Sequence, residues 1–82
     1  MSKGRVNLPE DLRDLMAGDW ERVLTQAMLG AEDKRIARLY VLDRMLQIDV
    51  AAELHMDRST VSRRMTKIWE ETRRTAKKLD MV

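Results

Sequence analysis

The chain has no cysteine and a single histidine, His55. That excludes a disulfide framework and a Cys/His zinc site, and leaves redox compartment without a marker. The three glycines stand apart at Gly4, Gly18 and Gly30, so there is no glycine-rich loop whose backbone amides would cradle a phosphate. No run approaches the ~18 apolar residues that a membrane span needs. No signal-peptide pattern opens the sequence, and a cytoplasmic location is expected. A Ser-His-acid arrangement has only His55 to draw on, in a polar bend with no cleft expected around it. Glu53-Leu54-His55 lacks the i, i+4 spacing with which a helix grips a metal. The many carboxylates fall in first helical turns or on exposed faces, where they cap and solubilise. An enzyme is not expected, and no cofactor, metal or small-molecule ligand is indicated.

What is present is a helical composition with an uneven charge. At 82 residues the chain is one domain at most, with 44% hydrophobic and 37% charged residues. That suits a small helical bundle with a heavily charged surface, near the size at which a single core is only marginally sufficient. The net charge is +2, but residues 1–57 hold eight Lys/Arg against eleven Asp/Glu, whereas residues 58–82 hold eight against three. The basic excess sits at the C-terminal end, as an electrostatic footprint for nucleic acid would. A solvated helix face is the weaker alternative for such a run, and weaker still beside the motif described below.

Along the chain, residues 1–6 are short, polar and basic and are expected to form a flexible arm; residues 7–82 form one domain. Asn7 and Pro9 signal a helix start, with Glu10 and Asp11 in its first turn. Leu12, Leu15 and Met16 are expected on its inner edge and Gly18 at its end. Asp19 is placed to cap a second helix, in which Trp20, Val23, Leu24, Ala27 and Met28 follow at i, i+3, i+4, i+7 and i+8. Gly30 breaks that pattern, and Glu32 and Asp33 open a third helix to about Leu46, with Ile36, Leu39, Tyr40, Leu42 and Leu46 apolar. No strand signal, internal repeat or low-complexity segment appears.

The most informative stretch is residues 47–66, QIDVAAELHMDRSTVSRRMT. Val50, Ala51 and Leu54 share one face of a short helix, and the small Ala51 admits a second helix crossing closely. His55-Met56-Asp57 forms a bend in which Met56 is able to plug inward, and Asp57 is a good cap for the next helix. On that helix Val61, Met65 and Ile68 recur at i, i+4 and i+7. Its opposite face carries Arg58, Ser59, Ser62, Arg63 and Thr66, hydroxyls and guanidiniums suited to base edges in a major groove. The same helix is expected to run on to about Leu79, its apolar stripe extended by Ile68, Thr72, Ala76 and Leu79 and bordered by Trp69.

This segment resembles a bacterial helix-turn-helix: Gln first, Ala fifth, apolar residues at eight and ten, and R-S-T-V-S-R through the second helix. With the preceding KRIARLYVLDRMLQIDVAAEL, the resemblance extends to region four of sigma factors and to small sigma-like regulators of phages and mobile elements. It covers roughly residues 31–68. His55 stands where the family usually has Gly, at a bend often needing a left-handed backbone; Arg64 replaces a residue often apolar, and Asp57 a commoner Ser or Thr. The resemblance implies an all-α bundle of four to five helices and a sequence-specific, double-stranded DNA-binding transcriptional regulator. Its recognition helix, about 58–79, would lie in the major groove. The implied DNA-binding residues are Gln47, Arg58, Ser59, Thr60, Ser62, Arg63, Arg64, Thr66 and Lys67. Two alternatives accompany it: a sigma-region-four-like protein that contacts RNA polymerase through the helices ahead of the motif, and a helical protein-interaction adaptor. A homodimer through Ile68, Trp69, Thr72, Ala76 and Leu79 is expected, against the alternative that this stripe folds back on Trp20 and Leu24 in a monomer.

Overall fold

A computed structural model describes residues 8–81; the expected N-terminal arm and Asn7 lie outside them. After a 3-10 turn at Glu10–Leu12 come α1 (Ala17–Gln26), α2 (Ala31–Ala37), α3 (Gln47–Glu53) and α4 (Arg58–Lys78). Helix α2 continues without interruption into a wider π turn, Arg38–Leu42. There is no strand among the described residues. The protein is an all-α small helical bundle, as the periodicity implies.

The N-terminal segment departs from the expected pattern. A helix from Pro9 to Gly18 does not form: after Leu12 the chain turns at Arg13 and Asp14 and runs extended to Met16 (ψ 167°). Leu12 alone is driven home, fully buried, whereas Met16, expected on the inner edge, is 74% exposed. Helix α1 then starts at Ala17, with Gly18 in its first turn rather than at a helix end. Asp19 is not the cap residue but lies three positions inside, where its carboxylate accepts the Met16 N–H at 3.2 Å. That reach-back satisfies one group at the helix start and suits the positive end of the dipole. Trp20, Val23 and Leu24 are buried as their spacing implies. The helix stops when Ala27 turns extended (ψ 145°), so Met28 falls beyond the stripe and is 79% exposed.

The third helix also ends early, at Leu42 instead of Leu46. Its π turn widens the helix by about one residue, with Asp43 N–H bonding to Arg38 C=O at 3.0 Å. Ile36, Ala37, Tyr40 and Val41 point inward and Met45 follows from the corner, while Leu39, Leu42 and Leu46 are left half-buried. Three corners use residues other than glycine in the left-handed region: Arg44 (φ 59°), His55 (φ 56°) and Asp80 (φ 56°). At the α3 corner Met56 N–H bonds Ala51 C=O at 2.8 Å and His55 N–H bonds Ala52 C=O at 3.3 Å. This paired arrangement satisfies the last carbonyls of a helix, and it holds α4 at a fixed angle to α3. The same pairing ends α4, through Met81 to Ala76 and Asp80 to Lys77.

Helix α4, about 31 Å long at 1.5 Å per residue, is the spine of the bundle. Val61, Met65, Ile68, Thr72, Thr75 and Ala76 are all buried along one side. The helix packs on α3, α2 and α1. At the crossover Trp69 sits between Trp20 and Tyr40, with ring centroids 6.3 Å and 6.1 Å away and interplanar angles of 62° and 56°. These tilted contacts are favoured by the ring quadrupoles. The distal stripe is thus consumed within one chain. Ile68, Thr72 and Ala76 are each fully buried, which removes them as the surface of a homodimer and matches the alternative fold-back on α1.

Candidate nucleic-acid interface

The sequence makes the α3–α4 unit the candidate site, and its local structure follows from side-chain size. Ala51 is 4% exposed beside the fully buried Val50 and Val61; with a methyl group at the crossing, α3 lies close against the start of α4. The half-buried Leu54 and Met56 pack onto the same core from the bend. Asp57 occupies the position before α4 with an extended backbone (ψ 143°), but its carboxylate makes no capping hydrogen bond. Its backbone carbonyl instead takes the N–H groups of Thr60 and Val61, at 3.0 and 3.2 Å.

With Val61 and Met65 fixed inward, the helical repeat turns Ser59, Ser62, Arg63, Thr66 and Lys67 to solvent, and Arg58 is exposed at the first turn. Arg58 and Lys67 have no ion pair among the described residues, and Arg63 reaches only the Thr60 hydroxyl, at 3.4 Å. Six of the nine expected residues therefore share one exposed surface. Thr60 is half-buried at its edge. Gln47, also half-buried, is the first residue of α3, on a separate element.

Arg64 does not belong to that surface. One position beyond Arg63, it swings to the flank facing α2, where Nη1 lies 2.9 Å from Asp33 Oδ1 and 3.1 Å from Glu32 Oε1. Asp33 is a buried carboxylate, its side chain only 10% exposed, and a nearby cation offsets its desolvation. The hydrogen bond to Asp33 leads in raising the Arg64 pKa above its ordinary value. The residue that looks misplaced in an apolar slot is thus a link between α4 and α2. Nothing in the spacing reveals it, since the partners are 31 positions apart.

Further along α4 two more cations are engaged. Arg73 bonds Asp11 of the N-terminal turn, and Arg74 bonds Glu71 at 3.1 Å. The Arg73 hydrogen bond holds the Asp11 carboxyl below its usual pKa. A cleft of about 330 Å³ lies elsewhere, between Leu8, Leu15, Trp20 and Leu42, with Arg13 and Arg44 at its rim. Its floor residues Trp20 and Val41 are only 2% and 5% exposed, so a small ligand there would remove little further apolar surface from water.

No family model, curated protein or solved structure matches the chain.

Proposed function

We propose that the chain binds double-stranded DNA sequence-specifically, with the outward face of α4 in the major groove, and acts as a transcriptional regulator. The observation that carries this reading is the exposed surface of Arg58, Ser59, Ser62, Arg63, Thr66 and Lys67, whose cations have no acidic partner among the described residues, on a helix that buries Val61, Met65 and Ile68 on its other side. A helix about 10–12 Å across with its side chains fits a major groove about 12 Å wide, and this surface runs about 13 Å along it. Guanidiniums pair bidentately with guanine, hydroxyls accept or donate to base edges, and Lys67 suits a flanking phosphate. The fixed bend at His55 presents the helix without a further ordering cost. An adaptor that pairs through α4 as a coiled coil is disfavoured, because the apolar stripe it would need is already covered.

Selection from random duplex DNA tests the reading. A shared motif of a few base pairs is expected among the recovered sequences, lost when Arg63 is replaced by Ala. Recovery without any shared motif at physiological salt would refute sequence-specific binding.

A further inference from the structure

The outward stripe of α4 does not end at Lys67. Steps of three and four lead from Ser59 through Arg63 and Thr66 to Glu70, and on to Arg74 and Lys77, all exposed. Glu70 is the one carboxylate on this line; Glu71 lies at its flank, half-buried and bonded to Arg74. Three cations stand within helical reach of Glu70: Lys67 at i−3, Arg73 at i+3 and Arg74 at i+4. Yet Arg73 is held by Asp11 and Arg74 by Glu71, and among the described residues Glu70 has no ion pair or hydrogen bond.

On an ordinary surface a solvated carboxylate needs no partner. On a face set against phosphates it is repelled, unless it meets a hydrogen-bond donor. The donors a major groove offers are exocyclic amino groups, and the one that suits a carboxylate is cytosine N4. Resting on the DNA reading above, we propose that Glu70 is a specificity-determining residue that accepts a hydrogen bond from a cytosine amino group. Glu70 lies seven residues beyond Arg63, about 10 Å along the axis. At about 3.4 Å per base-pair step, the cytosine stands about three base pairs from the guanine that Arg63 reads. Where that cytosine is missing, the carboxylate meets acceptors or phosphates and is repelled, so the same residue keeps binding to unrelated duplexes weak.

Site selection with the wild type and with Glu70→Gln decides this. The wild type is expected to recover a cytosine about three base pairs from the Arg63-dependent guanine and to lose about 5- to 100-fold in affinity when it is replaced. In Glu70→Gln the preference should move to adenine, whose N6 and N7 a carboxamide pairs, while affinity for unrelated duplexes rises. No cytosine preference in the wild type, or one that survives in Glu70→Gln, overturns the proposal. So does an equal gain on every duplex with unchanged base preference, since Glu70 would then be only a repulsive charge. A wild type that binds no DNA overturns the DNA reading itself, a different result from either. Glu70 is exposed, so the variant is expected to melt as the wild type does.

Discussion

The two halves of α4 share one buried side and differ on the other. From Arg58 to Lys67 the outward cations have no acidic partner apart from Arg64, which lies on the flank. From Ile68 to Lys78 two of the four cations are tied to carboxylates of the chain, Arg73 to Asp11 and Arg74 to Glu71. Lys77 and Lys78 fall in the last turn, where cations suit the helix dipole. Positive charge counted by sequence thus overstates what a partner meets. The proximal half holds its charge available, while much of the distal half spends it on holding the bundle together.

The largest effect should come from the side the halves share. Ile68→Ala, at the junction, removes a fully buried side chain and is expected to cost about 2–5 kcal/mol in urea unfolding. A much smaller loss would mean that the two halves are not joined through one core.

Next comes the crossing that positions the proximal half. Ala51→Leu adds bulk where α3 meets α4 and should cost about 1–3 kcal/mol by overpacking, measured by melting without DNA. An unchanged midpoint would place the helices further apart than described.

The outward sides are separated by a pair of substitutions. Arg63→Ala should weaken binding to the preferred duplex by about 1–3 kcal/mol and relax one base position, with little change in stability. Arg74→Ala, which breaks an exposed pair, should shift stability by less than about 0.5 kcal/mol and leave base preference intact. Equal effects on DNA from both would erase the distinction between the halves.

The smallest effect is a pH dependence in the distal half. Because the folded Asp11 pKa lies below its ordinary 3.8, its bond to Arg73 contributes stability above that value and loses it as pH falls through the folded pKa. The difference in Tm between wild type and Arg73→Gln should therefore be present at pH 5–7 and shrink below about pH 3.8. A difference that grows on acidification would contradict the assignment.

Much of the bundle was legible because burial follows period: Trp20, Val23, Leu24, Val61, Met65 and Ile68 could be placed inside from spacing alone. Corners were harder. Arg44 and Asp80 take the left-handed backbone that glycine would advertise, so nothing in the sequence marked the end of the third helix before Gln47. His55 could be anticipated there only through the resemblance. The inner face of the third helix falls on Ile36, Ala37, Tyr40 and Val41, with Met45 after it, rather than on Leu42 and Leu46, because its many apolar residues leave more than one helical face to choose from. At the N-terminus, Glu10 and Asp11 after Pro9 mimic a helix start, but Leu12 is the only side chain of that turn to be fully buried, with Leu8 and Leu15 packed at the edge of the core. In the candidate site, helical phase located Ser59, Ser62, Arg63 and Thr66 correctly on the outside. The fate of Arg64 depended on a buried carboxylate far away in sequence, and the distal stripe required knowing that α1 would cover it.

On our proposal, the proximal outward face of α4 meets DNA. Its most direct test is the salt dependence of binding to a selected duplex, for the wild type and for a variant with Arg58, Arg63 and Lys67 all changed to Gln. Each phosphate neutralised steepens the fall of log affinity with log salt by about 0.9, so a phosphate-facing cation lost from this group lowers the slope by about that much. A steep wild-type slope is expected, flattening by at least one such step in the variant, together with lost base preference. A variant that keeps both the wild-type slope and the selected motif would contradict it.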